Sequence, residues 1–188
     1  MNKSQEEIDE IRDTCQKEIL RLKKMQLNIY SVATIRYWYW KLSHFRKSPN
    51  LFEDIMGMEA LTTSIVISYG RLFGEGSGTA ILKKKCIPQS LLPLHDEIIN
   101  LRHAKYAHHG EHKTVEKIIE LEYDGSAICV TPRLDIELCF GAPKEWGILF
   151  KWLDEYMYDQ LSKQLNLLTS KTGVKWKMPQ GEPPYGVQ

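Results

Sequence analysis

No two cysteines in this chain are spaced as a CxxC pair: Cys15, Cys86, Cys129 and Cys139 stand far apart. That arrangement argues against a disulfide framework and against a cysteine-based zinc site. No apolar run approaches ~18 residues, so no membrane span is expected. The stretch Met1-Asn2-Lys3-Ser4-Gln5-Glu6-Glu7 is polar and acidic, unlike a secretory signal. A surplus of one charge is lacking too: 25 Lys and Arg face 24 Asp and Glu, a net +1. There is thus no global pull toward nucleic acid, and any such contact must come from a local patch. The glycines of Gly74-Glu75-Gly76-Ser77-Gly78 are not followed by Gly-Lys-Ser/Thr, which excludes a phosphate loop. What remains is the expectation of a soluble, cytoplasmic chain whose 188 residues suffice for one domain with its own core.

The apolar periodicity predicts mostly helix. Over residues 4–28, Ser4 with Glu7 three residues later makes a capping-box pattern, and Ile8, Ile11, Cys15, Ile19 and Leu22 recur at helical spacing. Residues 29–47 form a second helical run, either separate from the first or continuous with it. Its aromatic residues Tyr30, Tyr37, Trp38, Tyr39 and Trp40 are expected to pack in the core or at a subunit interface. A base-stacking surface is the sharper alternative. Ser48-Pro49-Asn50 breaks the chain before a mostly buried helix over 51–73, and Lys83-Lys84-Lys85 reads as solvated surface. A further helix is predicted over roughly 90–109, entered through Pro88 and Pro93 and stopped at Gly110.

Residues 114–140 change to an alternating pattern, and Asp124-Gly125 is a hairpin signal, so a small antiparallel sheet of two or three strands is expected there. Pro143 stands where a first helical residue would be. A long amphipathic helix follows, carrying Trp146, Leu149, Phe150, Leu153, Met157, Leu161, Leu165 and Leu168, and ends at Thr172-Gly173. The fold class is therefore mainly α, with a small antiparallel β-hairpin insertion before the last long helix. One domain covers 1–173, with 114–140 as the insertion, and 174–188 forms an extended tail.

Five of the six histidines fall between residues 95 and 112, and Arg102 sits among them in Leu101-Arg102-His103-Ala104-Lys105-Tyr106-Ala107-His108-His109-Gly110. Histidine exchanges protons near neutral pH, and an arginine fork fits a phosphate, so the pair suggests chemistry on a phosphodiester. At 3.6 residues per turn, Arg102, Tyr106 and His109 line up, whereas His108 points about 120° away from Arg102. A kink near Gly110, or a second copy of the chain, would alter that pairing.

The run Arg102-His103-Ala104-Lys105-Tyr106-Ala107-His108 resembles the Arg-polar-x(3–5)-His signature of the HEPN superfamily, small helical domains found in prokaryotic toxins, phage-defence systems and CRISPR-associated ribonucleases. The upstream Tyr69-Gly70-Arg71-Leu72-Phe73 and the sheet insertion add to the likeness, which spans about residues 1–112 and the last helix. The resemblance implies a HEPN-like helical bundle acting as a metal-independent endoribonuclease, without a cofactor, in a homodimer whose two motifs meet at one cleft. It makes Arg102 and His108 the catalytic pair. One His108 would take the proton from an RNA 2′-hydroxyl, its counterpart would protonate the leaving 5′-oxygen, and Arg102 would stabilise phosphate charge. The product would carry a 2′,3′-cyclic phosphate. His103 occupies the polar position, where Asn or Asp is more usual. His109, Tyr106 and Lys105 are supporting or RNA-binding candidates, and an antitoxin or other protein partner fits the toxin type.

Other readings compete with this one. Arg102 and the histidines can cap a helix end, where cations suit the dipole. A metal could use His108 and His112 or His109 and His112, but no cysteine or carboxylate completes a tetrahedral set. His95 and His44 read as structural or surface residues. A catalytically inactive HEPN-like domain that binds RNA, a nucleotide or a protein partner is the alternative function, and a purely structural partner protein a third.

Overall fold

The computed structural model describes residues 4–46, 48–74, 81–107, 116–123, 125–135 and 142–178. Helix α1 spans Gln5–Thr14 and opens on the expected capping box: Glu7 N donates to Ser4 Oγ at 3.3 Å, and Ser4 N donates to Glu7 Oε2 at 2.8 Å. The helix ends at Cys15, whose side chain is buried. Helix α2 then runs unbroken over Gln16–Ser43. The division between the first two helical runs thus falls at Cys15 and not near residue 29. No proline or glycine lies between Gln16 and Ser43, and Met25, Asn28, Val32, Ile35 and Leu42 keep one buried stripe through that point.

Helix α3 occupies Leu51–Phe73, with Asn50 Oδ1 accepting from Phe52 N at 3.0 Å as its cap. Helix α5 occupies Trp146–Thr172. It starts three residues after Pro143, whose carbonyl accepts from Trp146 N at 3.0 Å in the turn that leads in. It stops at Gly173, where φ is +66° and the backbone N–H returns to the Thr169 carbonyl, a left-handed cap that favours glycine. Trp146, Leu149, Phe150, Leu153 and Met157 of α5 meet Val32 and Ile35 of α2 and Ile65, Val66, Tyr69 and Leu72 of α3 in one core. Polar contacts tie α2 to α5 along their length: Arg36 pairs with Asp154, Gln164 Nε2 donates to the Glu18 carbonyl at 3.1 Å, and Lys171 pairs with Glu18. Of the aromatic run, Trp38 and Tyr39 pack against this core, with Tyr39 edge-on to Phe150 at 5.3 Å, whereas Tyr30 is 74% exposed.

After α3, two single turns of 3₁₀ helix, Lys84–Cys86 and Gln89–Leu91, lead into helix α4 at Leu92–Leu101. Lys84 reaches Asp96 at 2.6 Å in an exposed pair, in keeping with a solvated lysine run. Among the described residues, the sheet insertion is a two-stranded antiparallel hairpin of β1, Glu116–Tyr123, and β2, Ile128–Asp135. Tyr123 is opposite Ile128 and Glu116 opposite Asp135, and Gly125 takes φ +93° in the connection. Asp124 of the hairpin signal lies outside the described residues. Strand β2 passes through Pro132 without a break, so Leu134 belongs to it and not to a third strand. Proline lacks an N–H but is tolerated on a strand with one neighbour. The fold is mainly α, with this hairpin before the last long helix.

Cys15, Cys86 and Cys129 are free thiols. No helix among the described residues is long and apolar enough to cross a membrane. The tail is described as far as Met178. It folds back on α5, where Trp176 N donates to Thr169 Oγ1 and Trp176 Nε1 donates to Thr172 Oγ1, both at 3.0 Å.

Candidate active site

Helix α4 presents one face to α3. Ile98 and Leu101 enter the core, and His95 is buried beside them. The His95 Nδ1 lies 2.9 Å from the Tyr69 hydroxyl, a buried hydrogen bond between the two helices. Phe73 closes the pocket, with its ring 4.6 Å from the His95 ring and 5.1 Å from that of Tyr69. Burial lowers the His95 pKa from its ordinary value by disfavouring the imidazolium. Asp96 opposes this and Lys84 adds to it. Burial, with Asp96, pushes the Tyr69 phenol up. Both groups therefore stay neutral at pH 7, which is what a hydrogen-bonded pair in an apolar pocket requires.

Two helical turns beyond His95, on the same stripe, stands Arg102. Its side chain crosses α3 at Gly70. A Cβ built on Gly70 would lie 2.1 Å from Arg102 Cδ and 2.6 Å from Nε, so only glycine leaves room for the arginine stem. The Arg102 Nε is buried and finds no hydrogen-bond acceptor among the described residues, while the residue as a whole is half-buried. An N–H removed from water without a partner costs about 1–3 kcal/mol.

At Arg102 the helix also changes character. Arg102–Ala107 is π-helical, with i→i+5 bonding in place of the expected α-helix to about residue 109. The expected alignment of Arg102, Tyr106 and His109 rests on 3.6 residues per turn, and His109 and the Tyr106 side chain lie outside the described residues. Short π segments occur frequently at functional sites. His103 is exposed. His108 and His109 lie outside the described residues, as do the side chains of Lys105 and Tyr106 and the weighed metal ligand His112.

The structure thus brings Arg102 to Gly70 and His95 to Tyr69 across one helix–helix contact. The sequence marks Gly70 only as part of the Tyr69–Phe73 run and gives it no contact, and it reads His95 as a structural or surface residue; the structure buries His95. The available signal was the seven-residue interval from His95 to Arg102, which puts both on one face. Among the described residues, no group of three or more His, Cys, Asp or Glu side chains could hold a metal ion. Compared with known proteins, the chain matches no family model, no curated protein and no solved structure.

Proposed function

We propose that this chain is a metal-independent endoribonuclease of HEPN type, acting on RNA as a homodimer, of the toxin or phage-defence kind. The observation that carries the reading is the state of Arg102: its stem is seated on the bare backbone at Gly70, and its buried Nε has no described acceptor. No described carboxylate pairs with that guanidinium, so its charge remains for a phosphodiester. The neutral Tyr69–His95 pair anchors the helix from which Arg102 projects without adding a charge of its own.

In this reading His108 of one copy accepts the 2′-hydroxyl proton as the 2′-oxygen attacks phosphorus. His108 of the other copy protonates the departing 5′-oxygen, giving a 2′,3′-cyclic phosphate and a 5′-hydroxyl. Arg102 stabilises the charge that builds on the phosphate oxygens. His103, His109, Tyr106 and Lys105 are assigned to supporting or RNA-binding roles, and the reading allows an antitoxin or another protein as partner. The same unpartnered guanidinium also favours a second reading, a binding domain for RNA or a nucleotide without catalysis.

The test is cleavage of total cellular RNA by purified protein in EDTA, with wild type beside Arg102→Ala and His108→Ala. A wild-type activity that falls about 100-fold or more in each variant is expected. Equal cleavage by the variants, or none by the wild type, overturns the ribonuclease. RNA affinity that survives His108→Ala and is lost in Arg102→Ala, without cleavage, points to the binding domain.

A further inference from the structure

A cleft of about 670 Å³ opens at the C-terminal end of α2, lined by Trp40, Lys41, His44, Phe45, Arg46 and Leu61. We propose that it is a second ligand site, separate from Arg102, which takes a nucleoside phosphate: a flat base against Trp40 and Phe45, and a phosphate against Lys41 and Arg46.

The lining has two aromatic rings, two permanent cations and a histidine, and no carboxylate. Its volume lies within the roughly 300–1,000 Å³ common for small-ligand sites. Cations at a helix C-terminus usually serve the last carbonyls. At this end, backbone N–H groups of His44 and Phe45 donate to the Trp40 and Leu42 carbonyls, and Ser43 Oγ and His44 Nδ1 lie 2.9 Å from the Trp40 carbonyl. Lys41 instead leans over the Trp40 and Tyr37 rings, at 5.5 and 5.7 Å from their centroids. Neither Lys41 nor Arg46 meets a carboxylate among the described residues, a state they share with other surface lysines and arginines, but these two face one cleft beside aromatic rings.

The aromatic walls are held in place. The Trp40 and His44 rings lie 5.0 Å apart and inclined by 32°, and Phe45 seats against α3 where Gly57 has no side chain. Rings beside cations form the arrangement that binds a base by stacking and its phosphate by charge. Leu61 and Gly70 are nine residues apart on α3, which places them on roughly opposite faces and about 13 Å apart along the axis. The cleft therefore does not share the Arg102 site, and its test does not depend on RNA cleavage.

The four ribonucleoside 5′-monophosphates, and a ten-nucleotide single-stranded RNA of random sequence with 2′-O-methyl groups to block cleavage, are titrated by calorimetry. The protein is compared as wild type, Lys41→Gln/Arg46→Gln, Trp40→Ala, Arg102→Ala and, as a remote control, Lys163→Gln. Both Lys41 and Arg46 are exposed, so the double variant keeps its fold, as an unchanged thermal melt verifies. Binding of either probe that weakens tenfold or more in the double variant, and persists in Arg102→Ala and Lys163→Gln, supports the site. A mononucleotide that binds as tightly as the oligonucleotide identifies a free nucleotide as the source, and an oligonucleotide that binds alone identifies an RNA strand. No binding of either probe, binding unaffected by the double variant, or binding lost only with Arg102 overturns the proposal.

Discussion

Helix α3 carries two internal glycines near its opposite ends, and each receives a side chain from a neighbouring segment. At Gly57 the guest is the Phe45 ring, whose nearest atoms would sit 2.9 and 3.0 Å from an added Cβ. At Gly70 the guest is the Arg102 stem, which would sit 2.1 Å away. The first overlap is with the far edge of an apolar ring, and a small tilt relieves it. The second involves Cδ and Nε, the atoms that join the guanidinium to its stem, so relief means moving the charge. One glycine shapes the wall of a cleft, and the other decides where a positive charge stands.

The sharpest way to break this comparison is Gly70→Ala. The added methyl expels the Arg102 stem, and on the ribonuclease reading proposed above RNA cleavage is expected to fall about 100-fold, as in Arg102→Ala. Alanine gains about 1 kcal/mol in helix propensity, against about 1–3 kcal/mol for crowding. The thermal melt should therefore move by only a few degrees while the rate collapses. Full activity in Gly70→Ala would show that the arginine does not need its seat.

Next in size is Tyr69→Phe, one residue before Gly70. It leaves the buried His95 Nδ1 without its hydroxyl partner and should cost about 1–3 kcal/mol. In a chain of this length that is a fall of roughly 2–4 °C in Tm per kcal/mol. An unchanged melt would mean that the bond contributes nothing to docking α4 on α3.

The same pair gives a pH signature at the Gly70 end. His95 titrates below its ordinary 6.5 when folded, because burial disfavours the imidazolium. Between that lowered value and 6.5 the unfolded chain binds more protons than the folded one, so stability drops as pH falls through this window. A plot of Tm against pH should slope downward below 6.5 in wild type and flatten in His95→Gln, whatever the absolute melting temperature of the variant. Equal slopes would remove His95 as the cause.

The smallest effect belongs to Gly57→Ala. Propensity and a slight ring tilt nearly offset each other, so stability should change by less than about 1 kcal/mol. Nucleotide titration should register only a small change in affinity. A large loss at Gly57 would erase the contrast with Gly70.

Local chemistry made much of the fold legible. The Ser4–Glu7 box, the break at Ser48-Pro49-Asn50, the turn at Gly125 and the stop at Gly173 are written within a few residues, and each appears where the sequence places it. The interruption at Cys15 was hidden because the residues around it keep helical periodicity. The π segment was hidden for a similar reason: the choice between i→i+4 and i→i+5 bonding is not signalled by residue type in Arg102–Ala107. Arg102 stood out as a candidate from its histidine neighbours alone. Its seat on Gly70, and the Tyr69–His95 bond, required knowing which face of α3 meets which face of α4. Single-helix patterns do not carry that information.

The wide segment after Arg102 has one more consequence. A stretch bonded i→i+5 stores an extra residue over nearly the same rise as an α-helix, so it works as slack in the chain. Tightening it by one residue would leave Arg102 seated on α3 while turning everything beyond by roughly 100°. The number of residues after the arginine thus behaves less like a ruler than like an angular setting.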